Sequence, residues 1–246
     1  MITEMAVETA SKAGHESLGE ELTNVIQVFK GFDIHIGNLT INVSETTITM
    51  WVIMFLVITA AFIFTRRLNT FPSKIQNVVE LIVESINSLT KSIIGHHWRS
   101  FAPYFGTVII FLAIANTIAM FGIPALRPPT KDINVTASLA IMSIILVLGS
   151  QLKYKKLSGT IKSLFQPLWI MFPFKILEYF IRPLSLCLRL FGNIFGAFVM
   201  MELIITVSHR VLLPTIFSLY FDIFDGLLQA FIFVFLTMLY VGEAIE

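Results

Sequence analysis

Thiols and indole rings are what this chain of 246 residues has least of, and charges are sparse. One cysteine, Cys187, excludes an internal disulfide and any cysteine-based zinc cluster. Charged residues make up only 13% of the chain, too few to clothe an ordinary soluble domain, and hydrophobic ones reach 56%. The net charge of +1, with lysines and arginines dispersed, gives no footprint for nucleic acid. There is no P-loop, so no nucleotide site is expected, and neither a metal nor a cofactor is expected. Met1–Lys30 does not read as a signal peptide: it carries Glu4, Glu8, Glu16, Glu20 and Glu21 and lacks a basic start followed by an apolar core. No internal repeat appears.

Long apolar runs fill the rest. With a mean hydropathy of +0.82, the chain reads as an all-α polytopic membrane protein, because several runs approach the roughly 20 residues that span a bilayer. Residues 1–47 form a polar segment outside the membrane. Within it Gly31–Thr47 alternates apolar and polar residues, as a small strand pair or an extended lead-in would. Residues 48–246 form one integral membrane domain. Its spans are expected near 48–65, 101–123, 135–152, 163–207 and 211–245.

Between the first two spans, residues 73–94 place Ile75, Val78, Val79, Ile82, Ile86, Leu89 and Ile93 on one helical stripe, with Glu80, Glu84, Asn87 and Lys91 opposite. An interfacial amphipathic helix follows from that spacing. His96, His97, Trp98 and Arg99 read as an interfacial cluster rather than a metal site, lacking a third ligand. Asn116 and Thr117 read as helix–helix hydrogen bonds. Pro124–Asn134 breaks the chain, and Lys153, Lys155, Lys156 and Lys162 make a basic loop.

The basic residues between Arg66 and Arg99 and between Lys153 and Lys162 fall on the same side if three spans alternate. That side is expected to be cytoplasmic, with the N-terminus outside. Two later segments are too long for simple spans: 163–207 would measure roughly 68 Å and 211–245 roughly 52 Å as helices. Either the first breaks near Pro167, Pro173 or Pro183, or both are strongly tilted. The favoured arrangement is a hairpin of two long tilted helices turning at Ser208–Pro214, with five crossings and a cytoplasmic C-terminus.

Arg189 is the residue this arrangement must explain. A guanidinium stays charged at any working pH, and at the bilayer centre it costs about 2.5–3.5 kcal/mol on insertion scales. Its neighbours Leu186, Leu188, Leu190 and Phe191 offer no counter-charge. Lys175, Arg182 and Arg189 lie seven apart and share nearly one face, and Asn193 follows one turn on. In the last helix Asp222, Asp225, Gln229, Phe233, Thr237 and Tyr240 trace another face. A hairpin brings Arg189 and Gln229 to comparable depth. Glu202, Asp222 and Asp225 then lie on the outer side of Arg189, while Glu178, Tyr179 and Glu243 lie on the cytoplasmic side. Acids staggered about a fixed cation are what two offset half-channels for a cation require.

Three stretches, Leu188–Asn193 (LRLFGN), Arg127–Asn134 (RPPTKDIN) and Leu228–Tyr240 (LQAFIFVFLTMLY), resemble those of the a subunit of bacterial F-type ATP synthases, the membrane-sector stator subunit. The resemblance covers the chain from Ile48 onward. It implies a subunit that is not itself catalytic, lies against the ring of c subunits, joins the b subunits of the peripheral stalk and carries H⁺ or Na⁺ across a bacterial cell membrane for ATP synthesis. It implies that Arg189 faces the c-subunit carboxylate, that Gln229 supports it and that Asn193 lines the same interface. Glu202, Asp222, Asp225, Glu178 and Tyr240 are the remaining expected pathway residues. The chain departs from the family pattern at Phe198, where many relatives have a carboxylate, and at Lys175, where a glutamate is frequent. Asp222 stands where many have histidine or glutamate.

Two other classes fit less well. A self-contained ion-coupled secondary transporter would show repeats and broken helices at matching places in its halves. An intramembrane hydrolase would need a base beside Cys187 or Ser185, and His96, His97 and His209 sit at span ends.

Overall fold

Burying backbone polar groups in oil leaves the helix as the economical local structure, and helices dominate. The computed structural model describes residues 32–36, 39–66, 73–118, 128–165, 172–208 and 212–245. Two compact units are distinguished, Met1–Ile48 and Thr49–Glu246. In the first, β1 (Phe32–Ile36) and β2 (Leu39–Val43) pair antiparallel, Phe32 opposite Val43 and Ile36 opposite Leu39. The alternating stretch is thus a strand pair; the expected polar segment before it lies outside the described residues.

The helices are α1 (Glu45–Thr65), α2 (Lys74–Ile94), α3 (Trp98–Thr117), α4 (Ile133–Phe165), α5 (Phe172–Ser208), α6 (Leu212–Leu219) and α7 (Gly226–Ile245). Among the described residues, five stretches are long and apolar enough to cross a membrane, α2 and α3 counting together as one. The protein is an all-α polytopic membrane protein, with the β1–β2 pair as its one small exception among the described residues.

Helix α1 buries Thr49 and Ile53 and packs Val57 near Ala115 and Ile118, while Trp51, Phe55, Ile58 and Phe62 stay exposed. Such an outward apolar face suits lipid.

The amphipathic stripe of α2 divides in two. Ile75, Val78 and Ile82 are exposed, whereas Leu89 and Ile93 pack against the core and Thr90 is fully buried, 4.0 Å from the Met238 sulfur of α7. Half the face expected to lie on the membrane is therefore covered by protein. Gly95, at φ 66°, ends α2 in a backbone region that favours glycine.

The Lys153–Lys162 stretch is no loop: α4 runs on to Phe165. Long straight-chain lysines are good helix formers, so the charges ride on a helical extension. Helix α5 starts at Phe172, later than the expected 163, and continues unbroken through Pro183 to Ser208. At 37 residues it is about 55 Å long. The expected 211–245 helix is interrupted by a π-helical turn, Tyr220–Asp225. The Gly226 N–H there reaches the Phe221 carbonyl five residues back.

The core joins α3, α4, α5 and α7 through Phe105, Leu112, Val147, Leu190, Phe233, Val234, Met238 and Val241. Glycines let α7 sit close. A Cβ at Gly242 would come within 3.1 Å of the Ile93 carbonyl oxygen, and one at Gly226 within 3.1 Å of the Asn116 Cβ.

Candidate functional site

Polar residues inside an apolar bundle need partners, and tracing those partners outlines the site. Asn116, buried in α3, donates from Nδ2 to the Gly226 carbonyl at 3.0 Å. Its Oδ1 accepts from the Thr130 hydroxyl at 2.8 Å. Asn116 is thus the interhelical bond expected of it. Thr117 bonds instead to the Ala113 carbonyl of its own helix. The RPPTKDIN stretch is explained by the same hub: Thr130 and Pro129 are buried, and Asp132 caps α4 by accepting from the Asn134 N–H at 2.9 Å. Cys187 is buried with its sulfur 3.6 Å from the Thr136 hydroxyl.

The hub fixes the junction between the π-helical turn and α7, where the first polar cluster sits. Asn193 Nδ2 of α5 donates to Asp225 Oδ1 at 3.1 Å and to Gln229 Oε1 at 3.3 Å. Gln229 is 2% exposed, and its Nε2 is buried with no hydrogen-bond partner among the described residues. Sequence reasoning set Arg189 level with Gln229; the structure pairs Gln229 with Asn193, one turn nearer the hairpin end. Glu202 and Asp222 lie in described elements, but their side chains are outside the description.

A second cluster occupies the other end of the seam. Arg182 donates from Nη2 to Glu243 Oε2 at 2.7 Å and from Nε to Glu178 Oε1 at 3.1 Å. Its guanidinium also lies 4.7 Å from the centre of the Tyr240 ring. Beside it the Tyr179 hydroxyl donates to Gln151 Oε1 of α4 at 2.8 Å. Glu178 and Tyr240 are therefore brought together, and the residue joining them is Arg182. Neither Arg182 nor Glu243 was assigned a pathway role from the sequence, although the seven-residue spacing from Arg189 marked Arg182, and Glu243 was set on the cytoplasmic side with Glu178.

Arg189 stands between the clusters. Along α5 it is about 6 Å from Asn193 and about 10 Å from Arg182. It is exposed on the chain's surface, with no hydrogen bond or ion pair to any described residue. The same flank of α5 carries Glu178, Arg182, Ser185, Arg189, Gly192 and Gly196 at three- and four-residue steps. Gly192 and Gly196 are exposed, and a Cβ at either would meet nothing within 4 Å. Arg189 thus has no counter-charge among the described residues and shares its flank with two exposed glycines.

The family model for the ATP synthase A chain matches residues 47–242. The chain belongs to this family. Subunit a of the ATP synthase from Moorella thermoacetica is 36% identical over 215 residues, 86% of this chain and 94% of the relative. That of Gloeobacter violaceus is 35% identical over 239 residues, 94% of this chain and 95% of the relative. A subunit a described as sodium ion specific, from Propionigenium modestum, is 32% identical over 216 residues, 82% of this chain and 74% of the relative. This A chain is thus a membrane-sector, ion-translocating subunit of an ATP synthase and a member of a multi-subunit complex.

Proposed function

We propose that the chain forms two offset half-channels that carry H⁺ or Na⁺ to and from the carboxylates of a rotating c-ring, with Arg189 as the essential fixed charge. The observation that carries this reading is the isolation of Arg189. A guanidinium at bilayer depth costs about 2.5–3.5 kcal/mol, and no described residue of the chain offsets it. A carboxylate presented by another subunit does so, and Gly192 and Gly196 leave room for the helix that bears it.

On the outer side the ion passes Glu202, Asp222 and Asp225 and reaches Asn193 and Gln229. The buried Gln229 Nε2 has no acceptor among the described residues. The ion then binds a ring carboxylate. As the ring turns, Arg189 draws that carboxylate into its ion-free form, and the ion leaves past Glu178 and Tyr240. A straight run between the two clusters meets a fixed positive charge. Each unit charge crossing 100 mV supplies about 2.3 kcal/mol, available as torque. The chain itself catalyses no bond chemistry.

Residues 1–47 lie outside a bacterial cell membrane, 48–246 form one membrane domain, and the C-terminus is cytoplasmic. The b subunits of the peripheral stalk hold the chain still against the ring, and the ring carboxylates choose between H⁺ and Na⁺. Arg189→Ala tests the reading: ATP-driven ion pumping is expected to vanish while the complex still assembles. Normal coupled pumping in that variant contradicts it.

A further inference from the structure

Two carboxylates from different helices converge on one nitrogen. Arg182 Nη2 contacts Glu178 Oε1 of α5 and Glu243 Oε2 of α7, the latter at 2.7 Å. The arginine side chain is only 12% exposed, while Glu178 and Glu243 are 49% and 64% exposed. The charged group at the bottom of the site is therefore the cation, with both acids closing over it toward the open side. Tyr240 covers the guanidinium with its ring. This is the geometry of a cation held between two carboxylates, except that the cation is part of the chain.

The cleft around it has a volume of about 90 Å³ and is bordered by Lys155 and Lys175 as well as Arg182, against Glu178 and Glu243. Its positive side chains outnumber its negative ones. Freed of the guanidinium, the two carboxylates would offer a passing cation oxygen ligands from two helices, an attraction moderated by their partial exposure. With the guanidinium seated between them, neither acid is left uncompensated.

We infer that Arg182 is a tethered counter-cation: it occupies the two-carboxylate site on the exit side so that the translocated ion is released there and not retained. The inference rests on the half-channel reading above, and Arg182 is a positioning residue within it. Its partners' charges and its own are both required. Removing the guanidinium opens a site for a free cation, and removing both carboxylates leaves an uncompensated positive charge in the path.

The experiment uses membrane vesicles holding the assembled complex, stripped of its nucleotide-hydrolysing part, with passive ion conduction recorded while Cd²⁺ is added on the side of the Glu178–Glu243 cleft. Arg182→Gln is expected to become sensitive to Cd²⁺ at concentrations at least about tenfold below those affecting the parent, the scale of one charge-assisted contact. Adding Glu243→Gln to that variant is expected to relieve the block, and Arg182→Lys to behave as the parent. An assembled Arg182→Gln complex that conducts normally with unchanged Cd²⁺ response overturns the inference. Where Arg182→Gln does not assemble, Glu178→Gln with Glu243→Gln decides: lost conduction is expected, and parental conduction overturns it. Failure of the wider reading looks different, since parent vesicles would then conduct no ions or Arg189→Ala would pump normally.

Discussion

Asn193 and Gln229 face each other across α5 and α7, the Asn193 amide nitrogen 3.3 Å from the Gln229 carbonyl oxygen. The same nitrogen holds Asp225 at 3.1 Å, so one side chain on α5 positions both an acid and an amide at the end of the π-helical turn. Arg189 lies one turn away with no such tie to a described residue, a contrast that fits the proposed role of acting on a partner.

Asn193→Leu removes both bonds and keeps the side-chain size. A hydrogen bond to a charged group contributes about 1.5–3 kcal/mol, so Asp225 and Gln229 lose their fixed positions. ATP-driven pumping is expected to slow markedly with the complex intact, as measured by dye quenching in inverted vesicles. Pumping at the parent rate contradicts the assignment.

Asn116 answers to stability and not to transport. Asn116→Leu leaves the buried Thr130 hydroxyl without its acceptor, and an unsatisfied buried group costs about 1–3 kcal/mol. A lower midpoint for thermal loss of the purified complex is expected, with an unchanged ratio of ions pumped to ATP hydrolysed in what survives.

Glycines on the two sides of the bundle divide in the same way. At Gly242 an added methyl meets the Ile93 carbonyl at 3.1 Å, and overpacking of this kind costs about 1–3 kcal/mol. Gly242→Ala is expected to reduce the amount of folded subunit in membranes. At Gly192 an added methyl meets no described atom within 4 Å, and the test there is Gly192→Leu. It is expected to accumulate normally and lose coupled pumping. Immunoblots and pumping assays on the same membranes separate the two.

Under the proposed function the acids of the π-helical turn serve uptake. Replacing Asp222 and Asp225 together with Asn is expected to slow ATP synthesis most where the transported ion is scarce. Synthesis rates equal to the parent's across pH and sodium concentration remove both from the path.

Much of this was readable from residue spacing, because a helix repeats every 3.6 residues and fixes which side chains share a flank. The steps from Lys175 through Arg182 to Arg189 marked the seam on α5, and Asn116 was recognisable as an intramembrane polar group in need of a partner. Its partner was not recognisable, since a backbone carbonyl at Gly226 carries no mark in the sequence. The π-helical turn was equally hidden: a shift in backbone hydrogen bonding between Phe221 and Gly226 has no residue signature of its own. The lysine run after Leu152 misled because charge density was taken for a loop, where helix propensity decided. A counterpart of Arg189 is not found among the described residues, and under the proposed function it belongs to another subunit.

Disulfide trapping at the α5 surface tests this last point most directly. In a complex with Cys187→Ser and Gly192→Cys, oxidation is expected to join the subunit to a cysteine introduced beside the ring carboxylate, while Phe55→Cys on the lipid-facing side of α1 gives no such product. A Gly192→Cys complex that assembles yet forms no bond to the ring, with α5 open to lipid reagents along its length, contradicts the account.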